Sequence, residues 1–412
     1  MSVSPQPSYL KHLRAFYLVA QEGSMKKAAE GLLRSPSSVA HAVQSLEAAL
    51  EVALFDRGVH GMSLNEPGQQ LMVRLGQAWE EMEQAKSTLQ HMAASRGKAV
   101  GHSPLFHLSI SDRRLALMSA FSERRHAADV AALLGVTQPA VSAAIRELDH
   151  GLSLPLFDRS SHGMRLTPAG EIMLLHLKRA VQIIRLAEAE ITEAQGKVAG
   201  TVAVGNLPFG RAYLLPAAIN ALHERYPAVT VRTVEGRFDV LLNALWCGDV
   251  DFIVGALPAI DPAHYPGLEG EKLFDDTVTV MVSAGHPLAG LPQPALADTC
   301  AYPWVLPVEG SPIRELMKSA FQEQGLSTPN VVVDSADLTI IRGLLLNQQW
   351  VTAASRHLYH HEIHRGVLTP LTISLPKLPH CLGILRPGLD RATPAAKALM
   401  AMLRCLRTQA PA

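Results

Sequence analysis

The chain repeats itself. Leu54-Phe55-Asp56-Arg57 returns as Leu156-Phe157-Asp158-Arg159, a shift of 102 residues, and His60-Gly61-Met62 returns as His162-Gly163-Met164. The shift then holds without a gap. Ala29 meets Ala131, Leu32 meets Leu134, Val39 meets Val141, Leu46 meets Leu148, Leu50 meets Leu152, Leu64 meets Leu166 and Gly68 meets Gly170. Reproducing apolar positions and tight turns in place implies the same buried faces twice, so two copies of one module open the chain.

Past the shared glycine, Pro67 to Met92 and Ala169 to Ala194 each read as one long helix, free of internal proline and rich in Leu, Ala, Glu, Gln and Met. Their apolar seams match. Leu71, Leu75, Ala78, Met82, Ala85, Leu89 and Met92 are spaced alternately by 4 and 3, and Met173, Leu177, Ala180, Ile184, Ala187, Ile191 and Ala194 repeat the register. A stripe this narrow is the a/d seam of paired helices rather than a helix lying on its own module's core. Because the two seams share one register, the helices are expected to pair within one chain.

In the second copy Ala127 to Leu134 is a helix pattern stopped at Gly135, and Thr137-Gln138-Pro139-Ala140-Val141-Ser142 opens another, with Val141, Ile145 and Leu148 inward. Thr137 suits an N-cap and Pro139 the first turn, where a missing N–H is harmless. Two short helices around a glycine turn make a helix-turn-helix. Gln138, Ser142 and Arg146 are left outward, able to reach base edges and phosphates. Phe157 to Leu166 reads as a β-wing whose Arg159 and Arg165 are placed for the backbone.

These residues resemble the winged helix-turn-helix and linker helix of LysR-type transcriptional regulators. The match runs through Ala131-Ala132, Gly135, Thr137 to Ser142, Ile145, Leu148-Asp149, Leu156-Phe157-Asp158-Arg159 and Leu166-Thr167-Pro168-Ala169-Gly170. The first copy keeps Glu22-Gly23-Ser24, Ala28-Ala29, Leu46-Glu47 and Leu54 to Arg57. It reads Ser35-Pro36-Ser37-Ser38 where the family prefers Ser-Gln-Pro-Ala. Its candidate DNA contacts are Ser37, Ser38, His41 and Arg57, and with Ala40, His41 and Gln44 on the outer face it is less cationic than its twin. Two readings stay open: it reads another DNA sequence, or it has become a dimerisation domain. The usual family member carries one module, so the extra copy departs from the family's oligomer and operator geometry.

Charge neither decides for nor against nucleic acid. Lys plus Arg (37) equals Asp plus Glu (37) over 412 residues, and residues 110 to 166 carry seven Arg against six acids, or +1. DNA binding must rest on where the cations sit, with several modules acting together. The four cysteines, Cys247, Cys300, Cys381 and Cys405, form no C-x-x-C pair and offer no zinc-finger spacing. No window has the ~18 uninterrupted apolar residues of a membrane span, and the start lacks a secretory pattern, so no membrane partner and a cytoplasmic location are expected.

After Gly200 the pattern becomes α/β: Thr201 to Val204, a helix over Tyr213 to Glu224, Val229 to Val234, a helix near Phe238 to Trp246, and Phe252 to Gly255. Val278 to Ser283 begins a second group, with Trp304 to Leu306, helix Ile313 to Gln324, Val331 to Val333, helix Leu338 to Leu346 and Val351 to Ala354. The chain then returns to the first group with Leu368 to Ile373, Leu382 to Leu385 and a last helix Pro394 to Leu406. Two lobes crossed twice would enclose a cleft. This half resembles the effector domain of the same family, similar in fold to periplasmic solute-binding proteins. The fold class is thus multidomain: two winged helix-turn-helix modules with linker helices, over 10–97 and 106–199, joined through Gly97 to Pro104, then an α/β two-lobed effector domain over 200–406.

Open α/β sheets bind ligands at the carboxyl ends of their strands. Those loops here hold Asn206, Phe209 and Arg211, then Ser311 and Arg314, then Asp337, and Thr352. Ser311 fits an N-cap and Pro312 the first helical turn, leaving N–H groups suited to a carboxylate, though plain capping explains them equally. The family commonly takes small metabolites, often organic or aromatic acids. His357, His360, His361 and His364 share a helical face without an acidic or thiol partner beside them, and read as a solvated surface rather than a metal site. No nucleophile elbow, P-loop or strand-borne GxGxxG is present, and neither a cofactor nor catalysis is expected. The leading reading is a sequence-specific regulator of double-stranded DNA, homo-oligomeric and modulated by a small-molecule effector. The alternatives are a ligand sensor acting through protein contacts without DNA, and an enzyme on the two-lobed fold.

Overall fold

The computed structural model describes residues 10–58, 61–95, 97, 106, 112–149, 152, 154–160, 163–258, 260–275, 277–347, 349–376 and 381–407. The expected connector lies, except for Gly97, outside the described residues, as do His60 and His162 of the repeat. Two compact units divide the chain, one essentially residues 1–200 and the other 201–412 apart from a short turn at 247–249.

The first unit shows the repeat as structure. Helices α1 (Leu13–Glu22), α2 (Met25–Leu32) and α3 (Pro36–Leu50), the hairpin β1 (Phe55–Gly58) with β2 (Gly61–Leu64), and the long α4 (Glu66–Ala94) form the first copy. The second runs α5 (Asp112–Glu123), α6 (Ala127–Leu134), α7 (Gln138–Asp149), β3 (Phe157–Ser160), β4 (Gly163–Leu166) and α8 (Pro168–Ala194). Even the polar contacts recur at the same offset. Glu47 accepts from the Leu54 amide at 2.8 Å, and Asp149 accepts from the Leu156 amide at 2.7 Å. Asn65 and Thr167 cap their long helices from the Gly68 and Gly170 amides while donating to Ala53 O and Pro155 O. Glycine is required at the capped amide itself: a Cβ on Gly68 or Gly170 would lie 2.1 Å from the Leu54 or Leu156 carbonyl oxygen. The ring contact on the hairpin differs by one turn, since Phe55 packs on Phe16 but Phe157 on Phe121.

Helices α4 and α8 pair with each other inside this unit. Leu71, Leu75, Ala78, Met82, Ala85 and Leu89 are buried, as are Met173, Leu177, Ala180, Ile184, Ala187 and Ile191. The seam closes sooner than its spacing suggests: Met92 is half-buried with Ala93 inside instead, and Ala194 is exposed. A straight helix drifts against a seven-residue repeat, so the last turns rotate away from the partner. Polar contacts also cross the seam. Arg74 grips Glu190 with both arms of its guanidinium, Nε to Oε2 at 2.9 Å, and His176 Nδ1 lies 2.8 Å from Glu81 Oε2 with side chains only 12% and 8% exposed. Moving forward along α4 from 74 to 81 moves backward along α8 from 190 to 176, so the helices run antiparallel.

The second unit has two five-stranded sheets. One orders β6 (Val229–Glu235), β5 (Gly200–Asn206), β7 (Phe252–Ala256), β14 (Cys381–Pro387) and β8 (Leu268–Asp275). The other orders β11 (Val331–Asp334), β10 (Trp304–Leu306), β12 (Val351–Ser355), β9 (Val278–Ser283) and β13 (Leu368–Pro370). Their helices are α9 (Pro208–Arg211), α10 (Leu214–Arg225), α11 (Phe238–Trp246), α12 (Pro312–Glu323), α13 (Leu338–Leu345), α14 (His360–His364) and α15 (Pro394–Arg407). The chain crosses between lobes twice, but not where the sequence pattern placed the return. Leu368–Pro370 stays in the second sheet, pairing antiparallel with β9, and only β14 re-enters the first, beside β7. Strand β8, absent from the sequence reading, flanks β14 on the far edge; its exposed, charged residues hide the alternation that marks a strand.

Candidate DNA-binding surface and effector cleft

Each module carries a helix-turn-helix whose form follows from its caps. Between α6 and α7 the chain bends by 102°, within the range of this motif. Gly135, at φ 62°, ends α6, and Thr137 Oγ1 accepts from the Ala140 amide at 3.4 Å to start α7. Val141, Ile145 and Leu148 are buried, so Gln138 and Arg146 stand exposed on the opposite side; Pro139 is exposed and Ser142 half-buried. Neither Gln138 nor Arg146 has a protein partner among the described residues. On the wing Arg159 is exposed, and Arg165 lies 3.6 Å from Asp158, a loose surface pair that leaves its guanidinium available.

The first module builds the same turn with different residues. Leu33, not glycine, takes the left-handed conformation at φ 53° and is 95% exposed. Ser35 Oγ caps α3 from the Ser38 amide at 3.2 Å. Ser37, Ser38, His41 and Gln44 are exposed, with His41 Nδ1 3.3 Å from Ser45 Oγ. The Arg57 side chain lies outside the described residues.

In the second unit the effector candidates gather where the lobes meet. Strands β10, β11 and β12 are parallel, so their carboxyl-end loops share one edge, and the Ser335 amide binds Leu306 O at 2.9 Å to tie two of those loops together. Asn206 is buried at the end of β5 with its Oδ1 unpartnered, and Arg211 on α9 donates to Glu235 at 3.2 Å while its buried Nε has no acceptor. Asp337 caps α13 from the Thr339 and Ile340 amides; those N–H groups hold its carboxyl below the usual range, and the Arg211 charge from the other lobe adds to the effect. Thr352 is fully buried and spends its hydroxyl on Val305 O at 2.8 Å. Ser311 caps α12 from the Arg314 amide at 3.3 Å, and Arg314 pairs with Asp334 at 3.1 Å. The Phe209 side chain lies outside the described residues.

Comparison with known proteins decides the family. The model of the bacterial regulatory helix-turn-helix protein of the lysR family matches twice, at residues 10–69 and 113–171, and the LysR substrate binding domain matches residues 195–406. The chain belongs to the LysR family. This LysR-type regulator is 38% identical over 400 residues to the HTH-type transcriptional regulator GalR of Pseudomonas putida, covering 97% of this chain and 98% of that one. That alignment runs through both modules. The transcriptional dual regulator GltC of Bacillus subtilis is 30% identical over 284 residues, 69% of this chain and 93% of GltC. A full-length OxyR variant of Pseudomonas aeruginosa shares the fold with a TM-score of 0.52 at 23% identity, covering 72% of this chain and 95% of its own. The regulator therefore combines two helix-turn-helix modules of a DNA-binding family with an effector-binding domain, and its relatives are transcriptional regulators rather than enzymes.

The cleft of this LysR-type regulator also contains a group the sequence reading passed over. Tyr359, four residues beyond the end of β12, is buried with its hydroxyl unpartnered, and burial together with the Glu362 and Asp337 charges pushes its phenol well up. Its signal was an aromatic one helical turn past a strand end. The histidine run is not the solvated face that its polarity suggested. Only His361 and His364 are exposed; the His360 ring packs 3.9 Å from Tyr213 and the His357 ring 4.6 Å from Phe274, both across the lobes. Burial lowers the pKa of each, with His360 and Arg356 adding to it for His357, and His361 and His364 for His360. Among the described residues no group of His, Cys, Asp and Glu could hold a metal ion, and no single helix is long and apolar enough to cross a membrane.

Proposed function

We propose that this regulator reads its operator through α7 and the β3–β4 wing, and that an organic acid held between the lobes alters that reading. The observation that carries it is the outward face of α7, where Gln138 and Arg146 are exposed, unpaired and opposite a fully buried stripe. Arginine and glutamine offer paired hydrogen bonds to guanine and adenine edges in the major groove. Thr137 and Pro139 set the start of that helix, Ser142 lies on its flank, and Arg159 and Arg165 grip the backbone.

The cleft favours an anion that also carries a hydrogen-bond donor. Arg211 Nε is a free donor, the Ser311 hydroxyl keeps its proton to give, Asn206 Oδ1 is a free acceptor and Tyr359 can serve either way. A carboxylate answers the first two, and a hydroxyl on the same molecule answers the third. Phe209, Asp337 and Thr352 belong to the same loops, Asp337 and Thr352 fixing their shape, and Arg314 orients the start of α12. The regulator forms a homo-oligomer through surfaces other than the α4–α8 seam, which is already filled.

Selection of bound fragments from randomised DNA by the full chain tests the first claim. A recovered motif that Arg146→Ala weakens by about 10- to 100-fold supports it. Recovery of nothing above background, at low as well as moderate salt, transfers the protein to ligand sensing through protein contacts. Thermal stabilisation by an aromatic or hydroxylated organic acid, abolished in Arg211→Ala, tests the second.

A further inference from the structure

The seam between α4 and α8 joins unlike helices. At the shift of 102, Arg74 corresponds to His176, Glu81 to Ile183, and Glu190 to Thr88. With the observed geometry, two α4 helices would set Arg74 against Thr88, and two α8 helices would set Ile183 against His176. By symmetry each like pair would repeat its surviving contact, Arg74 with Glu81 or His176 with Glu190, so these contacts do not by themselves separate like from unlike pairing. The match within one chain rests instead on the observed packing of α4 against α8, whose seam residues are buried along both helices.

Antiparallel pairing puts the two helix-turn-helix modules at opposite ends of helices 29 and 27 residues long. At 1.5 Å per residue that is about 40 Å, close to the spacing of successive major grooves on one side of a duplex. Each module then faces its own half-site. Their net charges are alike: residues 10 to 65 carry Lys11, Arg14, Lys26, Lys27, Arg34 and Arg57 against Glu22, Glu30, Glu47, Glu51 and Asp56, six minus five or +1, as in the second copy. Neither recognition helix is covered, for Ser37, His41 and Gln44 on α3 are as exposed as Gln138 and Arg146 on α7. What differs is the reading group at the matching position, Gln44 in one and Arg146 in the other. Glutamine pairs with the N6 and N7 edge of adenine, arginine with the O6 and N7 edge of guanine.

We propose that one chain's paired modules read a single asymmetric DNA site made of two unlike half-sites, with adenine under Gln44 and guanine under Arg146. This rests on the DNA reading by α7 proposed above. It makes the first module a second reader rather than an assembly domain, and it makes the head complete without a second chain.

The test is enrichment of randomised DNA by the full chain and by two variants, Gln44→Arg and Arg146→Gln. Both positions are exposed, and matching thermal melts establish that the variants fold. The expected wild-type motif has two different halves. Gln44→Arg should exchange an adenine for guanine in one half and leave the other untouched, binding the wild-type site about tenfold or more weakly. Arg146→Gln should make the reverse exchange in the other half. A single half-site that changes only with Arg146→Gln overturns the inference while leaving DNA reading by α7 intact. Two identical halves overturn it as well. Enrichment of nothing, or of a motif neither variant alters, overturns both the inference and the reading beneath it.

Discussion

The two N-terminal modules keep one skeleton and diverge at its faces. Val39 and Val141, Leu46 and Leu148, and Leu71 and Met173 are buried in register, and the Glu47 and Asp149 contacts are the same bond with a longer or shorter side chain. At the turn, however, Gly135 is replaced by an exposed Leu33 in the same left-handed conformation, and on the exposed face of the third helix Arg146 is replaced by Gln44. Divergence has been allowed where a side chain meets solvent and refused where it meets backbone. Packing density enforces the second rule, since a carbonyl oxygen 2.1 Å from an added Cβ has nowhere to go.

That comparison can be pressed at several points. Gly170→Ala and Gly68→Ala should each destabilise the N-terminal unit by about 3 kcal/mol, read from denaturant midpoints; a gap between them above about 1 kcal/mol would show that the modules do not share this constraint. His176→Leu leaves Glu81 buried without its ring partner and should cost about 2 kcal/mol, much of which the double change with Glu81→Leu restores; a double variant no better than the single would mean that the pair does not couple. Exchanging the turn residues sharpens the contrast. Gly135→Leu should lose about 1 kcal/mol through left-handed strain, and Leu33→Gly should gain a few tenths to about 1 kcal/mol, the opposite sign at one position of the repeat. The smallest effect is acidic. Burial, helped by Lys11, His41 and Arg34, lowers the pKa of His12, whereas its counterpart Arg114 is ion-paired with Glu147. A histidine whose folded pKa is depressed contributes stability above its unfolded value near 6.5, lost as pH falls through the folded value. Between pH 7.5 and 5.5 the wild type should therefore lose more in Tm than His12→Gln.

Much of this was legible from the residues because the information repeats. A shift that superposes Leu54 to Arg57 on Leu156 to Arg159 also superposes seams, caps and turns, so errors in one copy are corrected by the other. Phe238–Trp246, Val278–Ser283 and Trp304–Leu306 were readable without a repeat, each being a run of one periodicity between clear breaks. Pairing was harder. Nothing in Leu368 to Ile373 says which sheet it joins, because that depends on a hydrogen-bond partner about ninety residues earlier in β9. Half of the histidine run was misjudged for a related reason: a polar sequence does not reveal that Tyr213 and Phe274, far upstream, come to lie on two of its rings. In the cleft the loops could be located, but the unpartnered atoms of Asn206, Arg211 and Tyr359 exist only once the lobes have met.

The α4–α8 pairing has a consequence for how binding scales with abundance. Helices on separate molecules find each other at a rate set by their concentration, and scarce molecules spend much of their time single. Tethered by the intervening chain, these two meet at a fixed local concentration however few copies exist. If one such head reads its site as proposed, occupancy rises in simple proportion to the number of molecules, without the squared dependence of a reader that must first assemble, so the scarcest cell still presents a finished one.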